Sequence, residues 1–340
     1  MHPFREAGKV YIAMQHKPAR QPTNIVPATP ETIARAGALI AEGKLVAFPT
    51  ETVYGLGADA THGEAVARLY AAKGRPSFNP LISHIPEAAA GRGLALFNAD
   101  AERLASAFWP GPLTLVLPKR PDCPVSSLAL AGLDTIALRV PAHPTATALL
   151  KAFGKPVVAP SANRSGHVSP TLATHVLADL RGRIDLILDD GPCWVGVEST
   201  VVALVEAPTL LRPGGLARAE IERVLGRPLK DAAAHIDEEG PLAPGMLASH
   251  YAPKATLRLN ATAPRNGEAL LAFGQAPDFA GTVFNLSPRG DLVEAAANLF
   301  SQLRALDAVG AAAVAVMPVP NEGLGEAIND RLARAAAPRP

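Results

Sequence analysis

Two cations and a polar loop follow a helical pattern early in the chain. The helix ends in residues 73–76 (KGRP), and residues 77–80 (SFNP) follow it directly. Arginine binds phosphate oxygens through a planar fork and lysine acts as a point charge, so Lys73 and Arg75 could neutralise a phosphate chain. The alternative is a solvated helix end whose cations interact with the helix dipole. The pattern makes this segment a candidate phosphate site.

A second polar segment, residues 49–57 (PTETVYGLG), comes directly after the apolar run from Leu45 to Phe48. Open α/β sheets bind ligands just beyond the ends of buried strands. The segment therefore predicts a ligand-binding loop, although a plain polar loop has the same composition.

Arg139 lies near the end of a predicted strand, Thr135 to Val140. Side chains alternate between the faces of a strand, so Thr135, Ala137 and Arg139 share one face. An arginine on an open face can bind a carboxylate through its fork. The alternative is a salt bridge at the end of the strand.

Other polar residues are less informative by themselves. His84 could contact a ligand, but a lone histidine is more often a core or surface residue. Ser161 lies in APSAN rather than in GxSxG and has no assignable base, so we interpret its hydroxyl as a ligand contact and not as a nucleophile. Glu198, Asp189 and Asp190 are candidate neighbours of Mg²⁺. Surface acids are the alternative, and we assign no metal ligand.

Two nucleotide-binding motifs are excluded or disfavoured. The chain contains no GxxxxGK[ST], because Leu45 follows Gly43-Lys44. Residues 55–60 (GLGADA) fit GxGxx[GA], but polar residues precede them where a dinucleotide fold needs a strand, and no acid lies near position 75.

The composition indicates a globular protein with two domains. The chain has 340 residues, 48% hydrophobic and 19% charged, with a net charge of +1. This balance disfavours a chain that coats nucleic acid, although it does not exclude a local basic groove. Cys123 and Cys193 form no CxxC pair, which disfavours a zinc cluster or disulfide framework. No apolar run approaches the roughly 18 residues of a spanning helix, and we expect a cytoplasmic protein without a membrane contact.

Helical and strand patterns alternate along residues 24–225. Thr29 and Pro30 predict the start of a helix, and Gly43 predicts its end. The predicted strands are Leu45–Phe48, Leu81–Ile85, Leu113–Leu117, Thr135–Val140, Val157–Ala159, Ile184–Leu188 and Thr200–Leu204. Such alternation is typical of α/β or α+β architecture with a mixed sheet.

The rest of the chain divides into a linker and a small domain. Residues 226–253 are rich in Pro and Gly without a period, which indicates a linker. Residues 254–340 predict a small α/β domain with strands near Leu257, Leu270 and Val283, a helix Asp291–Leu306, a strand Ala313–Met317 and a helix Leu324–Ala336. Residues 1–23 are interpreted as a tail.

Several motifs occur together and in order, and their combination is far more specific than any one of them. They are PTETVYGLG, KGRP with SFNPLISH, WPGPLT, AGLDTIALRVPAHP, APSAN, GVEST, LLRPG, HYAP and GLGEAINDRLARAA. The chain resembles the long form of the threonylcarbamoyl-AMP synthase family. The resemblance implies a twisted YrdC-like catalytic domain followed by a small Rossmann-like α/β domain. Ser83, Gly74 and the N-terminal tail depart from the expected pattern without removing a proposed ligand.

The resemblance also implies site residues. Expected contacts with L-threonine are Thr52, His84, Arg139 and Ser199. Expected contacts with ATP are Arg75, Asn79, Thr135, Ser161, Ser169, Arg212 and Tyr251. Lys73 and Arg75 are the expected catalytic cations, and the segment around Tyr251 is expected to act as a lid.

The implied reaction joins L-threonine, bicarbonate and Mg²⁺-ATP into threonylcarbamoyl-AMP and pyrophosphate, for modification of tRNA. Two alternatives remain open at this point, an RNA-binding module with a basic groove and a regulatory nucleotide-binding protein without turnover. Downstream tRNA-modifying partners and direct tRNA contact also remain open.

Overall fold

The computed structural model describes residues 22–232 and 253–337. Its strands are β1 (Asn24–Pro27), β2 (Val46–Phe48), β3 (Gly55–Asp59), β4 (Ile82–His84), β5 (Leu113–Pro118), β6 (Thr135–Arg139), β7 (Val157–Val158), β8 (Leu186–Asp189), β9 (Thr200–Ala203), β10 (Thr209–Arg212), β11 (Lys230–Asp231), β12 (Thr256–Arg258), β13 (Glu268–Ala272), β14 (Val283–Asn285) and β15 (Ala313–Val316). Its helices are α1 (Pro30–Ala41), α2 (Gly63–Lys73), α3 (Ala88–Arg92), α4 (Ala99–Phe108), α5 (Pro144–Phe153), α6 (Ala173–Leu180), α7 (Arg218–Leu225), α8 (Leu292–Ala308) and α9 (Gly325–Ala336).

The first domain is built on a mixed sheet, as the sequence predicts. Within the described ranges its strand order is β1-β8-β2-β3-β7-β4-β6-β5-β9-β10-β11, with parallel and antiparallel neighbours. Strand β2 shows why its sequence is apolar throughout. Val46 and Phe48 pack with α1 and α5, whereas Ala47 lies in the larger core cluster that includes residues of α2, α4 and α6. Helices therefore cover both faces of this part of the sheet.

Helix α1 forms where its terminal residues predict it. Thr29 caps the N-terminus in a capping box with Thr32, and Pro30 occupies the first turn. Gly43 follows the last turn with φ +72°, a left-handed conformation that glycine adopts without a Cβ clash.

The middle of the sheet places the candidate site. Strands β4 and β6 are parallel, with His84 paired to Arg139 and Ile82 to Ala137, and β5 is antiparallel to β6 with Val116 opposite Ala137. Residues directly opposite one another in a sheet point to the same face. Ile82, Val116 and Ala137 accordingly form part of one small apolar cluster, and His84 and Arg139 continue the same face at the end of these strands.

The structure corrects several local predictions. Residues 55–57, which were predicted to belong to a polar loop, form the start of strand β3. Strands β1 and β10 were not predicted. The interval 226–253 was predicted to contain no regular element, but Lys230–Asp231 pairs with β10 as strand β11, so the first sheet continues past Gly226.

The second domain has a four-stranded sheet of order β12-β15-β13-β14, with every pair parallel. Helices α8 and α9 pack in the core of this domain. Both cysteines are free thiols, with Cys193 buried and Cys123 half-buried. Across the two described ranges, no helix combines the length and apolar character needed to cross a membrane.

Candidate active site

Glu51 and Arg139 form a buried ion pair at the centre of the site. Arg139 Nη2 lies 2.8 Å from Glu51 Oε1, and their side chains are 5% and 2% exposed. The contact lacks hydrogen-bond alignment, since neither Glu51 oxygen nor Arg139 Nη2 has a hydrogen-bond partner among the described residues. Arg139 Nε donates only a long bond, 3.4 Å, to Gly111 O. Both charged groups thus retain unused hydrogen-bonding capacity.

His84 lies beside Arg139 and is 2% exposed. Burial, with a further contribution from the charge of Arg139, lowers the pKa of His84 to about 3. The imidazole is therefore neutral near pH 7. Its Nδ1 lies 3.3 Å from the carbonyl oxygen of Ile82, which favours the tautomer with the proton on Nδ1 and leaves Nε2 as an acceptor.

Hydroxyl groups surround this ion pair on two sides. Thr52 Oγ1 lies 2.8 Å from Thr50 Oγ1, and Thr50 donates to Val53 O at 2.7 Å. Ser199 Oγ lies 2.8 Å from Thr114 Oγ1. These hydroxyls are buried and can each donate to or accept from a ligand after a small rotation.

Arg212 connects β10 to the residue before β9. Its Nη2 donates to Ser199 O at 2.8 Å and to Ser199 Oγ at 3.1 Å. The guanidinium is 4% exposed. Arg212, an expected ATP contact, thus orients Ser199, an expected threonine contact, by direct hydrogen bonds.

Lys73 stabilises the APSAN loop. Its Nζ donates to Ser161 O and to Asn163 O, each at 2.5 Å. Burial, with the neighbouring charge of Arg75, lowers the pKa of Lys73 well below its ordinary value. A phosphate bound nearby would favour the charged form.

Arg75 and Asn79 lie on the loop that follows α2. Arg75 donates to Asn79 O at 3.4 Å and to Pro80 O at 3.2 Å, so it holds the loop that carries Asn79. Asn79 is 2% exposed, and its Oδ1 accepts no hydrogen bond from the described residues. Ser161 and Thr135 are half-buried, on the APSAN loop and at the start of β6.

Ser169 is fully buried and donates to Glu198 Oε1 at 2.5 Å. The second Glu198 oxygen accepts from Arg331 Nε at 2.8 Å. Burial raises the pKa of Glu198, but the charges of Arg331 and Arg212 and the hydrogen bond from Ser169 outweigh it and lower the pKa to about 2. Glu198 is therefore an ionised carboxylate with both oxygens bound.

The acids that the sequence placed near Mg²⁺ all have protein partners. Asp189 accepts from the Tyr54 hydroxyl at 3.2 Å, and Asp190 accepts from Thr145 at 2.5 Å. Glu198 is occupied as described above. No cluster of three or more His, Cys, Asp or Glu suited to a metal occurs in residues 22–232 or 253–337.

Contacts join some of the expected residues, namely Lys73 to the loop of Ser161, Arg75 to Asn79, His84 to Arg139 through strand pairing, and Arg212 to Ser199. Tyr251 lies outside the described residues. Glu51 and Arg331 were not assigned, although both lie in quoted motifs. For Arg331 a signal was available, because a charged residue interrupts the apolar stripe of α9 between Ile328 and Ala335.

Comparison with known families covers most of the chain. Residues 38–214 match the family described as "Telomere recombination". Residues 216–337 match the family described as "Threonylcarbamoyl-AMP synthase, C-terminal domain".

Individual relatives are similar over nearly their whole length. Threonylcarbamoyl-AMP synthase of Bacillus subtilis is 43% identical over 324 residues, covering 90% of this chain and 93% of the relative. Threonylcarbamoyl-AMP synthase of Pyrococcus abyssi is 45% identical over 323 residues, covering 89% and 94%. The crystal structure of P. abyssi Sua5 complexed with L-threonine superposes with a TM-score of 0.84 at 42% identity, covering 92% of this chain and 96% of that chain.

Proposed function

This chain belongs to the threonylcarbamoyl-AMP synthase family, and we propose that its buried site joins L-threonine, bicarbonate and ATP into threonylcarbamoyl-AMP. The chain is a nucleotidyltransferase that serves tRNA modification. The observation that carries the assignment of the site is the Glu51–Arg139 pair. It offers an unsaturated cation and an unsaturated carboxylate 2.8 Å apart, which suits the two charged groups of an amino acid.

L-threonine occupies the face of the sheet around Arg139. Its carboxylate takes the guanidinium of Arg139 in place of Glu51, and its ammonium then neutralises the released carboxylate. Ser199 and Thr52 supply hydroxyls for the polar groups of the substrate. The neutral His84 offers Nε2 as an acceptor for the threonine hydroxyl.

ATP occupies the adjoining surface between the loop after α2 and the APSAN loop. Arg75 and Lys73 neutralise the phosphates. Asn79 brings a buried amide oxygen that no described residue uses, and such an atom is costly unless a ligand hydrogen-bonds to it. Thr135, Ser161, Ser169 and Arg212 complete the proposed contacts, and Tyr251 remains a proposed contact from the linker.

The reaction needs no covalent enzyme intermediate. The threonine ammonium and bicarbonate give a carbamate, one water and one proton. A carbamate oxygen then bonds to the α-phosphorus while the bond from that phosphorus to the bridging oxygen breaks, and pyrophosphate leaves. The residues contribute by aligning the reactants, neutralising charge and excluding water from a labile anhydride.

Mg²⁺ enters this proposal with ATP. It supplies charge neutralisation at the phosphates when it is bound. Because the nearby carboxylates already have protein partners, we assign it no protein ligand. We place the reaction in the cytoplasm and leave the threonylcarbamoyl transfer to tRNA to partner proteins.

The test is product analysis with purified protein, ATP, Mg²⁺, bicarbonate and threonine. The proposal predicts pyrophosphate and AMP-linked product in equal amounts, only when both threonine and bicarbonate are present. Release of ADP and orthophosphate would refute the mechanism. ATP binding without any turnover would favour the regulatory alternative.

A further inference from the structure

The second domain packs directly behind the candidate site. Val53, Val168 and Val197 belong to the first domain, yet they lie in the apolar cluster formed by the core residues of α8 and α9. Each valine is adjacent in sequence to a buried polar residue, namely Thr52, Ser169 and Glu198. The second domain thus packs against three loops, each of which also carries a buried polar residue of the site region.

The loop before Glu198 approaches α8 so closely that it has no room for a side chain. A Cβ at Gly196 would lie 2.3 Å from Ala296 O and 2.4 Å from Ala297 Cα. Contacts of that kind are with backbone, which cannot rotate away. The position of this loop is therefore set by the second domain.

Arg304 of α8 binds the backbone of the loop that carries Ser169. Its Nη2 donates to Val168 O and also lies 2.9 Å from Asp179 Oδ2. This guanidinium fixes the residue that precedes Ser169 and links it to α6.

Arg331 of α9 makes the most direct connection. Its side chain is 0% exposed, Nε donates to Glu198 Oε2 at 2.8 Å, and Nη2 donates to Pro213 O at 3.0 Å. One planar group therefore holds the GVEST loop and the residue after Arg212 at once. Through Glu198 it also reaches Ser169 Oγ, 2.5 Å from Oε1.

The direction of these hydrogen bonds matters for the site. An ionised carboxylate accepts only, so the Ser169 hydroxyl must donate to Glu198 and offers only lone pairs to any other group. Without Arg331, Glu198 would lose its closest cation and could turn toward Arg212, which orients Ser199. The position of the Glu198 charge thus influences both Ser169 and, through Arg212, Ser199.

We propose that Arg331 is a positioning residue for the substrate site, through which the second domain holds Ser169, Ser199 and Arg212 in their binding arrangement. The inference rests on the proposed function, because the substrate contacts are taken from it. A buried ion pair is weak evidence for stability. The planar guanidinium of Arg331, however, fixes the directions of its bonds to Glu198 and Pro213.

The experiment compares full-length variants at a temperature where each is folded. Arg331→Lys keeps the charge but replaces the planar guanidinium, with its fixed directions toward Glu198 and Pro213, by an ammonium without that geometry. Calorimetric Kd values for ATP and threonine, KM values and thermal midpoints are measured for each variant. We expect the KM and Kd of at least one substrate to rise by about tenfold or more.

A matched control uses another interdomain ion pair on the same helix. Arg218 Nη2 lies 2.7 Å from Glu326 Oε1, and both side chains are about a quarter exposed. Because Arg218 also pairs with Asp231 of the first domain, the control is Glu326→Ala, which breaks only the contact between the domains and touches no site loop. We expect its KM values to lie within about twofold of the wild type.

A double variant separates positioning from folding. Arg331→Met with Glu198→Gln removes both buried charges, which avoids leaving one unpaired. We expect its thermal midpoint to approach that of the wild type while KM stays raised.

Native KM and Kd values in Arg331→Lys, or recovery of both stability and KM in the double variant, would overturn the inference. Failure of the wild-type protein to bind ATP or threonine would instead refute the proposed function.

Discussion

Glu51 is a buried carboxylate whose partner is the residue that we assign to the substrate. In Glu51→Gln the ion pair with Arg139, at 2.8 Å in the unmodified chain, is removed. Arg139 then has no competing anion, but the threonine ammonium has no carboxylate to meet. We expect threonine to bind more weakly by about 1.5 to 3 kcal/mol, with little change for ATP, in calorimetric titrations.

The matched comparison is Arg139→Ala, which removes the proposed carboxylate contact instead. It should weaken threonine binding by about 2 to 5 kcal/mol, and it should also destabilise the fold because Glu51 stays buried without its cation. Tighter threonine binding in Glu51→Gln would show that Glu51 only competes for Arg139 and does not meet the ammonium.

His84 gives the protein a sensitivity to acid that can be measured apart from catalysis. Its pKa falls from 6.5 to about 3 on folding, so the unfolded chain takes up this proton first as the pH falls. A lowered folded-state pKa contributes stability that is fully present above the unfolded value and is lost below it. At pH 5 the loss from this residue amounts to about 2 kcal/mol.

The measurement is urea unfolding at pH 7 and pH 5. His84→Asn should reduce the decrease in unfolding free energy between these pH values by about 2 kcal/mol. An identical decrease in wild type and His84→Asn would contradict the buried, neutral state of this imidazole.

The sequence predicts the direction of a side chain on a strand more firmly than that of a side chain in a loop. Alternation places Arg139 on the same face of its strand as Ala137, and the strand pairing agrees. The side chain is buried, however, and it pairs with Glu51, which is the salt bridge that the sequence left open as the alternative. Glu51 could not be assigned, because an acid in a polar loop is ordinarily solvated. Only the fold brings it to a cation that lies 88 positions later in the chain.

Helix α8 and the loop that carries Gly196 approach each other closely at the interface between the domains. Gly196 has φ +77° and lies against the backbone of Ala296 and Ala297. Gly196→Ala combines left-handed strain with a backbone clash, so we expect it to destabilise the docked arrangement by about 3 kcal/mol or more in urea unfolding.

The control for this prediction is a glycine with the same backbone conformation and free space. Gly154, which ends α5, has φ +78°, and a Cβ there would meet nothing within 4 Å. Gly154→Ala should cost about 1 kcal/mol, which is the strain alone. If both substitutions lower the unfolding free energy equally, the backbone of α8 moves to accommodate the new Cβ at no energetic cost.

Elements were predictable where local signals agree and were missed where tertiary pairing decides. Helix α1 has a cap, a first-turn proline and a terminal glycine, and it begins and ends at the predicted places. Strand β3 contains two glycines, which are poor strand formers. It forms because β2 and β7 pair with it on both sides, and a Cβ at Gly57 would lie 2.9 Å from Phe48.

At the scale of the whole molecule, the two domains are packed directly against each other. The interface combines an apolar cluster with the Arg331–Glu198 pair at 2.8 Å. Sequence patterns foresaw a second α/β domain, but they could not foresee which face of α9 meets the first domain. That choice depends on the pairing of Arg331 with Glu198, which lies 133 positions earlier in the chain.

Substrate binding and docking of α9 against the first domain should be thermodynamically coupled. If docking of α9 favours the substrate-bound geometry, then bound substrates must favour docking of α9 by the same factor. In the full-length protein, saturating ATP and threonine should therefore slow amide hydrogen exchange in α9, by about 5- to 150-fold for a coupling of about 1 to 3 kcal/mol. Arg331→Lys should reduce this protection although the helix itself remains intact. If substrates protect the loops around Ser169 and Ser199 while exchange in α9 stays the same, the second domain is a passive neighbour of the site.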